Sequence, residues 1–245
     1  MNTNELETLI AKSLTDFYDR RIKCLEDLKL EIFLKRKNPY LLRAIGMEKA
    51  SEFVESIMSA HLSASDETIF GDAFFEPIAK MVSSGKVSDA EGVDFTIEQK
   101  NRYKAISMKS GPNIFSSSQK KKQHEQFLSL KSRLYKIHKQ FDPIVGHAYG
   151  KLNKDASEKQ IYRDVSGQKF WEEITGDADA DFYLKLIELM KKEPQKHKQK
   201  FNEEWNKSIN KFTKNFIENY CHKDGSIDWE KLTKLISEEK KITEE

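Results

Sequence analysis

The chain has 245 residues, 42 Lys and Arg against 40 Asp and Glu, a formal net charge of +2 and 38% hydrophobic content. It is long enough for a substantial core and too apolar to be disordered, and its balanced charge excludes a uniformly basic coat, so any affinity for nucleic acid must come from local clusters of Lys and Arg. No run approaches ~18 apolar residues, no basic leader with an apolar run opens the chain, and Cys24 and Cys221 form no CxxC pair, which together read as a cytoplasmic protein in a reducing compartment with no membrane segment.

From Leu6 the apolar residues Ile10, Leu14, Phe17, Leu25, Leu28 and Ile32 recur at helical spacing, and Asn38-Pro39 is expected to end that helix. A second helix is expected over 41–61, with Ile45, Phe53, Val54 and Ile57 inward. Ser65 and Asp66 offer N-caps for a third, carrying Phe70, Phe74, Ile78 and Met81 on one side. Pro77 lies inside it and predicts a kink or break beside Glu76.

Residues 91–116 read as a β-hairpin. Val93–Ile97 and Tyr103–Lys109 are the strands and 99–102 the polar turn. By strand alternation Asp94, Thr96 and Glu98 share one face, as do Tyr103, Ala105, Ser107 and Lys109. Asp94 and Lys109 can therefore meet. A carboxylate that holds Mg²⁺ and a lysine that stabilises developing charge suit metal-assisted hydrolysis of a phosphodiester.

After the lysine, Gly111 and Pro112 punctuate the chain and Ser116, Ser117 and Ser118 offer caps for a helix over 119–140 with the stripe Phe127, Leu130, Leu134, Ile137 and Phe141. Amides and hydroxyls at such a helix start bind phosphate, so Ser110, Gly111, Asn113, Ser117, Ser118 and Gln119 are candidate contacts to a DNA backbone. Lys120, Lys121 and Lys122 oppose the helix dipole unless an anion is near, and suit either that set or a solvated face. Residues 142–149 read as a buried strand. His147 suits a general base by residue type, although a lone histidine at a strand end is more often structural. A short strand at 161–165 and a helix capped by Ser166 follow, with Phe170 and Trp171 in the core. Helices over 181–190 and 228–237 close the chain, and residues 191–214, rich in lysine interleaved with Phe201, Trp205 and Phe212, suit either a DNA-facing helix or a solvated one. The tail 238–245 is expected to fray. GxGxxG, GxxxxGK[ST] and GxSxG are absent, so dinucleotide binding, P-loop hydrolysis and serine esterase chemistry have no support.

The segment YKAISMKSGPNIFSSSQ at 103–119 resembles the third catalytic motif of type II restriction endonucleases of the PD-(D/E)xK superfamily, in the branch whose lysine strand runs into KSGPN. The resemblance extends in order to NPYLL at 38–42, ETIFGDAFFEP at 67–77, GVD at 92–94, YGK at 149–151, GQKFWEEITGD at 167–177 and GSIDWEKL at 225–232. It implies an α/β restriction-endonuclease-like core, a small mixed sheet flanked by helices, in one nuclease domain with an N-terminal helical layer (1–62), a catalytic core (63–175) and C-terminal helices (176–245). It also implies Mg²⁺-dependent cleavage of double-stranded DNA at a specific sequence, a homodimer that cuts both strands, and a cognate DNA methyltransferase.

The resemblance implies catalytic roles at Asp94 and Lys109 and departs at Ser107, which occupies the catalytic position where the superfamily has an acidic residue. A second metal ligand must come from elsewhere. Glu76 is the first candidate, since the superfamily often supplies a glutamate from the helix before the hairpin. Glu98 is the second, although four residues of strand carry it roughly 13 Å from Asp94. Gln168 and Lys169, on the helix after the sheet, are implied near the scissile phosphate. Ser107 keeps a second reading open, a non-catalytic DNA-binding or protein-interaction module on a degenerate nuclease fold. A repair or resolvase-type nuclease is a third.

Overall fold

A computed structural model describes residues 3–112, 116–134, 138–176, 181–191 and 193–238. Expectations about Asn113, Ile137, Asp177 and residues 239–245 fall outside them. The fold is mixed α/β, a five-stranded sheet flanked by helices. Its centre is the hairpin of β2 (Phe95–Glu98) and β3 (Arg102–Lys109), antiparallel with Phe95 opposite Ile106 and Glu98 opposite Tyr103. The turn is closed by Gln99 N donating to Arg102 O at 2.8 Å. Strand β1 (Lys86–Val87) lies antiparallel on the β2 edge, and the sequence pattern had not marked it because two exposed residues carry no alternation. On the other side β4 (Gln140–His147) runs parallel to β3, and β5 (Arg163–Ser166) parallel to β4. The β3–β4 crossover is helical, as parallel neighbours require, and its helix is α6 (Ser117–Arg133).

The chain gathers into two compact units, Met1–Phe17 with Glu67–Lys196, and Tyr18–Asp66 with His197–Glu245. The first unit contains the sheet. One face, through Phe95, Ile106, Met108, Ile144 and Val165, packs on Leu6, Ile10 and Leu14 from α1 (Thr3–Glu26), on Phe74 and Ile78, on Trp171 of α7 (Gln168–Thr175) and on Phe182 of α8 (Phe182–Met190). The other face, through Val93, Ala105 and Val145, packs on Phe127 and Leu130 of α6 and on Tyr162. Burying each of these large side chains contributes about 1.5–3 kcal/mol.

The second unit is helical, and its core joins Leu34 of α2 (Leu30–Leu34), Leu42 of α3 (Pro39–Ala44) and Phe53, Val54 and Ile57 of α4 (Ala50–Phe70). Phe212 and Phe216 of α9 (Glu193–Tyr220) and Leu232 of α10 (Trp229–Ser237) complete it, with the Phe53 and Phe216 rings stacked at 4.6 Å. Cys24 and Cys221 are both free. Among the described residues, no helix is long and apolar enough to cross a membrane.

Several element boundaries differ from expectation. Asn38-Pro39 begins a helix rather than ending one: Asn38 Oδ1 accepts from Leu41 N at 3.1 Å, and Pro39 fills the first turn, where its missing N–H has no partner to lose. The expected helix over 41–61 is consequently two, α3 and α4, and Ile45, at the α3 C-cap, is 61% exposed instead of inward. Ser65 and Asp66 lie inside α4 and cap nothing. The Ser65 hydroxyl bonds back to His61 O at 3.1 Å and Asp66 takes a bidentate ion pair with Arg21. Helix α6 stops at Arg133, so Phe141 sits in β4. Ser166 ends β5, and Gly167, at φ +57°, takes the N-cap place before α7.

Candidate active site

Between α4 and α5 (Glu76–Ser83) the backbone makes one π-helical stretch, Gly71–Phe75. Glu76 N donates to Gly71 O, the five-residue step of a π-turn. Pro77 follows in the first turn of α5, where its lack of a donor is tolerated. The irregularity expected beside Glu76 therefore lies just before it. Ser110 locks the bulge from outside. Its hydroxyl donates at 2.9 Å to Glu67 O, the carbonyl that an unbroken α-helix would offer to the Gly71 amide. A Cβ at position 71 would stand 2.6 Å from Ser110 Oγ, so any larger residue there must displace that hydroxyl.

The bulge opens a cleft of about 170 Å³ lined by Glu67, Gly71, Asp72, Glu76, Lys109 and Ser110, with Thr68 and Met108. Asp94, just before β2, is held against it. Its amide donates to Ile106 O at 2.9 Å, and its Oδ2 accepts from Met108 N at 2.6 Å and lies 4.0 Å from Lys109 Nζ. Burial pushes the Asp94 carboxyl above the usual carboxylate range. Lys109 and the Met108 amide oppose that, the charge of Glu76 adds to it, and Lys80 opposes again. Glu76 is paired with Lys80 at 2.5 Å, one turn along α5. Two carboxylates and two ammonium groups thus stand within electrostatic reach of one another.

The Ser107 hydroxyl is taken up by α6. The residue is 1% exposed and donates at 2.9 Å to Gln123 Oε1 of α6, while Gln123 Nε2 donates to Gly92 O at 2.8 Å. The position two before the lysine is a polar clamp that ties α6 to the segment leading into Asp94.

The loop after Lys109 is zipped onto the extension of β4. Lys109 O accepts from Ala148 N at 3.0 Å and Ser110 O from Tyr149 N at 3.1 Å. A Cβ on Gly111 would sit 2.4 Å from the Tyr149 ring, one on Gly150 2.7 Å from Pro112, and one on Gly167 2.5 Å from Gly150 O. Ser110–Pro112, Tyr149–Gly150 and Gly167, three separate blocks of sequence, interlock at one end of the sheet. Residues 4–199, most of the chain, match the family described as type II restriction endonuclease EcoO109I.

The chain belongs to this restriction endonuclease family. No curated protein matches it. Membership in the EcoO109I family supports a DNA nuclease of the type II, site-specific kind, on a restriction-endonuclease-like core, and the family generally uses a divalent metal. The residues present fit such an ion. No group of three or more His, Cys, Asp or Glu is assembled among the described residues, but a hard divalent cation on a phosphate substrate takes only one or two protein carboxylates, the rest being water and phosphate oxygen. Asp94 and Glu76 repel each other's charge here, and a cation between them would relieve that.

The structure brings Asp94, Lys109 and Glu76 together, and leaves Glu98 at the far end of β2, paired with Lys139. Gln168 Nε2 donates to Glu172 at 2.8 Å, and Lys169 lines a separate cleft of about 890 Å³ with Lys104, Arg163 and Glu173. At the start of α6, Gln119 and Ser116 form a reciprocal capping box and Ser118 Oγ lies 3.0 Å from Ser116 Oγ, so those groups serve the cap. Ser117, Lys120 and Lys121 are exposed beside them and Lys122 pairs with Glu91 at 3.1 Å. Sequence reasoning missed Lys80, Glu67 and Gln123. Lys80 was findable as the i+4 partner of Glu76. Gln123 was not, since a glutamine on a helix carries no mark of a buried partner.

Proposed function

We propose that this protein is a Mg²⁺-dependent type II restriction endonuclease of the PD-(D/E)xK kind that hydrolyses double-stranded DNA at a specific sequence. The observation that carries the reading is the meeting of Asp94, Glu76 and Lys109 at the π-bulge cleft. Asp94 and Glu76 would hold the ion, whose chemistry is to polarise the phosphate and make a bound water nucleophilic near neutral pH. Lys109 faces the same cleft and stabilises charge that develops on the phosphate oxygens. Lys80 neutralises Glu76 while no cation is bound. Ser107 contributes no ligand and acts through Gln123 on the approach to Asp94. Ser110, Gly111, Ser117 and Lys120–Lys122 form the DNA-backbone side of the site. A cytoplasmic homodimer that cuts both strands and is paired with a cognate methyltransferase completes the reading.

The test is incubation of plasmid and phage DNA with the protein, with Mg²⁺ and then with EDTA. Discrete fragments that vanish with chelator, and with Asp94→Ala or Lys109→Ala, support it. Sequence-specific binding with no cleavage under any divalent metal would instead favour the non-catalytic reading that Ser107 keeps open. Nicking confined to branched DNA would favour a resolvase-type nuclease.

A further inference from the structure

His147 is the register partner of Lys109 across β3 and β4 and is 1% exposed. Its Nδ1 lies 3.1 Å from Gly111 O and its Nε2 3.2 Å from Asp164 Oδ1. A backbone carbonyl only accepts, and so does an ionised carboxylate. Both contacts are made at once only by a ring that carries hydrogen on both nitrogens. Asp164 is itself braced: its Oδ2 accepts from Gln160 Nε2 at 2.8 Å, and its backbone pairs in both directions with Lys154 at 2.9 Å. Burial pushes the Asp164 carboxyl up, but hydrogen bonds from His147 and Gln160, with the charges of His147 and Lys120, outweigh that and leave it below the usual carboxylate range. A polar chain therefore runs from half-buried Gln160 through buried Asp164 and His147 to the carbonyl of Gly111.

We propose that His147, as an imidazolium braced by Asp164, is a positioning residue for DNA cleavage: it holds the Gly111 carbonyl and so fixes the turn that begins at the catalytic Lys109. This rests on the nuclease reading above. Among the described residues the loop is also held by two backbone hydrogen bonds, by the Ser110 hydroxyl on Glu67 O and by the glycine contacts, and the imidazolium adds a charge-assisted bond at its apex. With both nitrogens donating, the ring has no lone pair for a proton and is not the general base.

Two substitutions separate this role from plain structural support. Asn places its amide nitrogen near the Nδ1 position and keeps the donor to Gly111, whereas Gln places it near Nε2 and keeps the donor to Asp164 alone. His147→Gln is expected to lower kcat for plasmid cleavage by about 10- to 100-fold with DNA Kd unchanged, and His147→Asn to retain most of the rate although it melts no higher. Equal losses in both variants, tracking their melting temperatures, overturn the proposal. Wild-type protein with ¹⁵N-labelled histidine gives a reading that does not depend on the variants folding. Both ring nitrogens of His147 should appear protonated, and a neutral tautomer overturns the proposal. A wild-type protein that cuts no DNA overturns the nuclease reading and the positioning role with it, whatever the ring's protonation.

Discussion

The Asp94 carboxylate and the Lys109 ammonium face each other at 4.0 Å across the hairpin, and the carboxylate oxygen nearest the lysine also takes the Met108 amide at 2.6 Å. That oxygen is oriented by backbone and polarised by charge, yet burial leaves the carboxyl above the usual range. A site that holds a half-buried anion at a cost to itself is poised for a cation.

The first prediction follows from that cost. The folded state binds the Asp94 proton more tightly than the unfolded chain, so stability falls as pH rises from the unfolded carboxylate value of about 3.9 to the raised folded one, and the loss is complete above it. Asp94→Asn should therefore melt higher than wild type at neutral pH, with the difference shrinking at acid pH, while cleavage is abolished. Melting curves across pH check the first part and plasmid digestion the second. A variant less stable than wild type at neutral pH would refute the electrostatic account.

Mg²⁺ should raise the melting temperature of the wild type, because a ligand that binds only the folded state stabilises it by about 2.7 kcal/mol at a hundred times its Kd. Glu76→Gln should remove most of that shift and most of the cleavage. Glu98→Gln should change neither, since Glu98 is paired with Lys139 at the other end of β2. The reverse outcome, a metal response sensitive to Glu98 and indifferent to Glu76, would move the ion.

Gly71→Ala should destabilise by about 1–3 kcal/mol, the usual range for overpacking, because its Cβ would stand 2.6 Å from Ser110 Oγ. In a Ser110→Ala background the added methyl meets no hydroxyl and the penalty should shrink. Denaturant unfolding of the two single variants and the double reads this as coupling between the π-bulge and the loop after Lys109. Strict additivity would show that the two elements do not lock each other.

Glu173→Gln should lose stability at neutral pH and not at acid pH. Burial pushes the Glu173 carboxyl up, but hydrogen bonds from Lys104 and Arg163 and their charges leave it below the usual range. Its contribution is present above the unfolded value and is lost as pH falls through the folded one. With partial exposure screening the pair, the loss at neutral pH should be about 1–2 kcal/mol, and melting curves of the two proteins should converge on acidification.

Much of this molecule was legible because the signals are local. Alternation over 93–97 and 103–109 marked the hairpin, the serine run 116–118 marked the start of α6, and Pro77 marked an irregularity beside Glu76. Each depends on residues within a turn or two of each other, where period and capping chemistry decide the outcome. Local signals misled where a distant partner outbid them. Asp66 had the right chemistry for an N-cap, but Arg21, 45 residues earlier, took its carboxylate and the helix ran on.

The sequence by itself determined that Asp94 and Lys109 would share a hairpin, because a two-residue period and a short turn leave their strands few other pairings. Only the tertiary structure decided the rest of the site. Glu76 reaches the hairpin because a π-bulge, locked by a serine 39 residues from Gly71 in sequence, turns α5 toward it. Ser107 turns to Gln123 because α6 packs over that face of the sheet. The Gly111 carbonyl meets a histidine because β4 lies parallel to β3 in register. Each of these depends on a hydrogen bond between residues far apart in the chain, and such a bond leaves no periodic trace in the sequence of either partner.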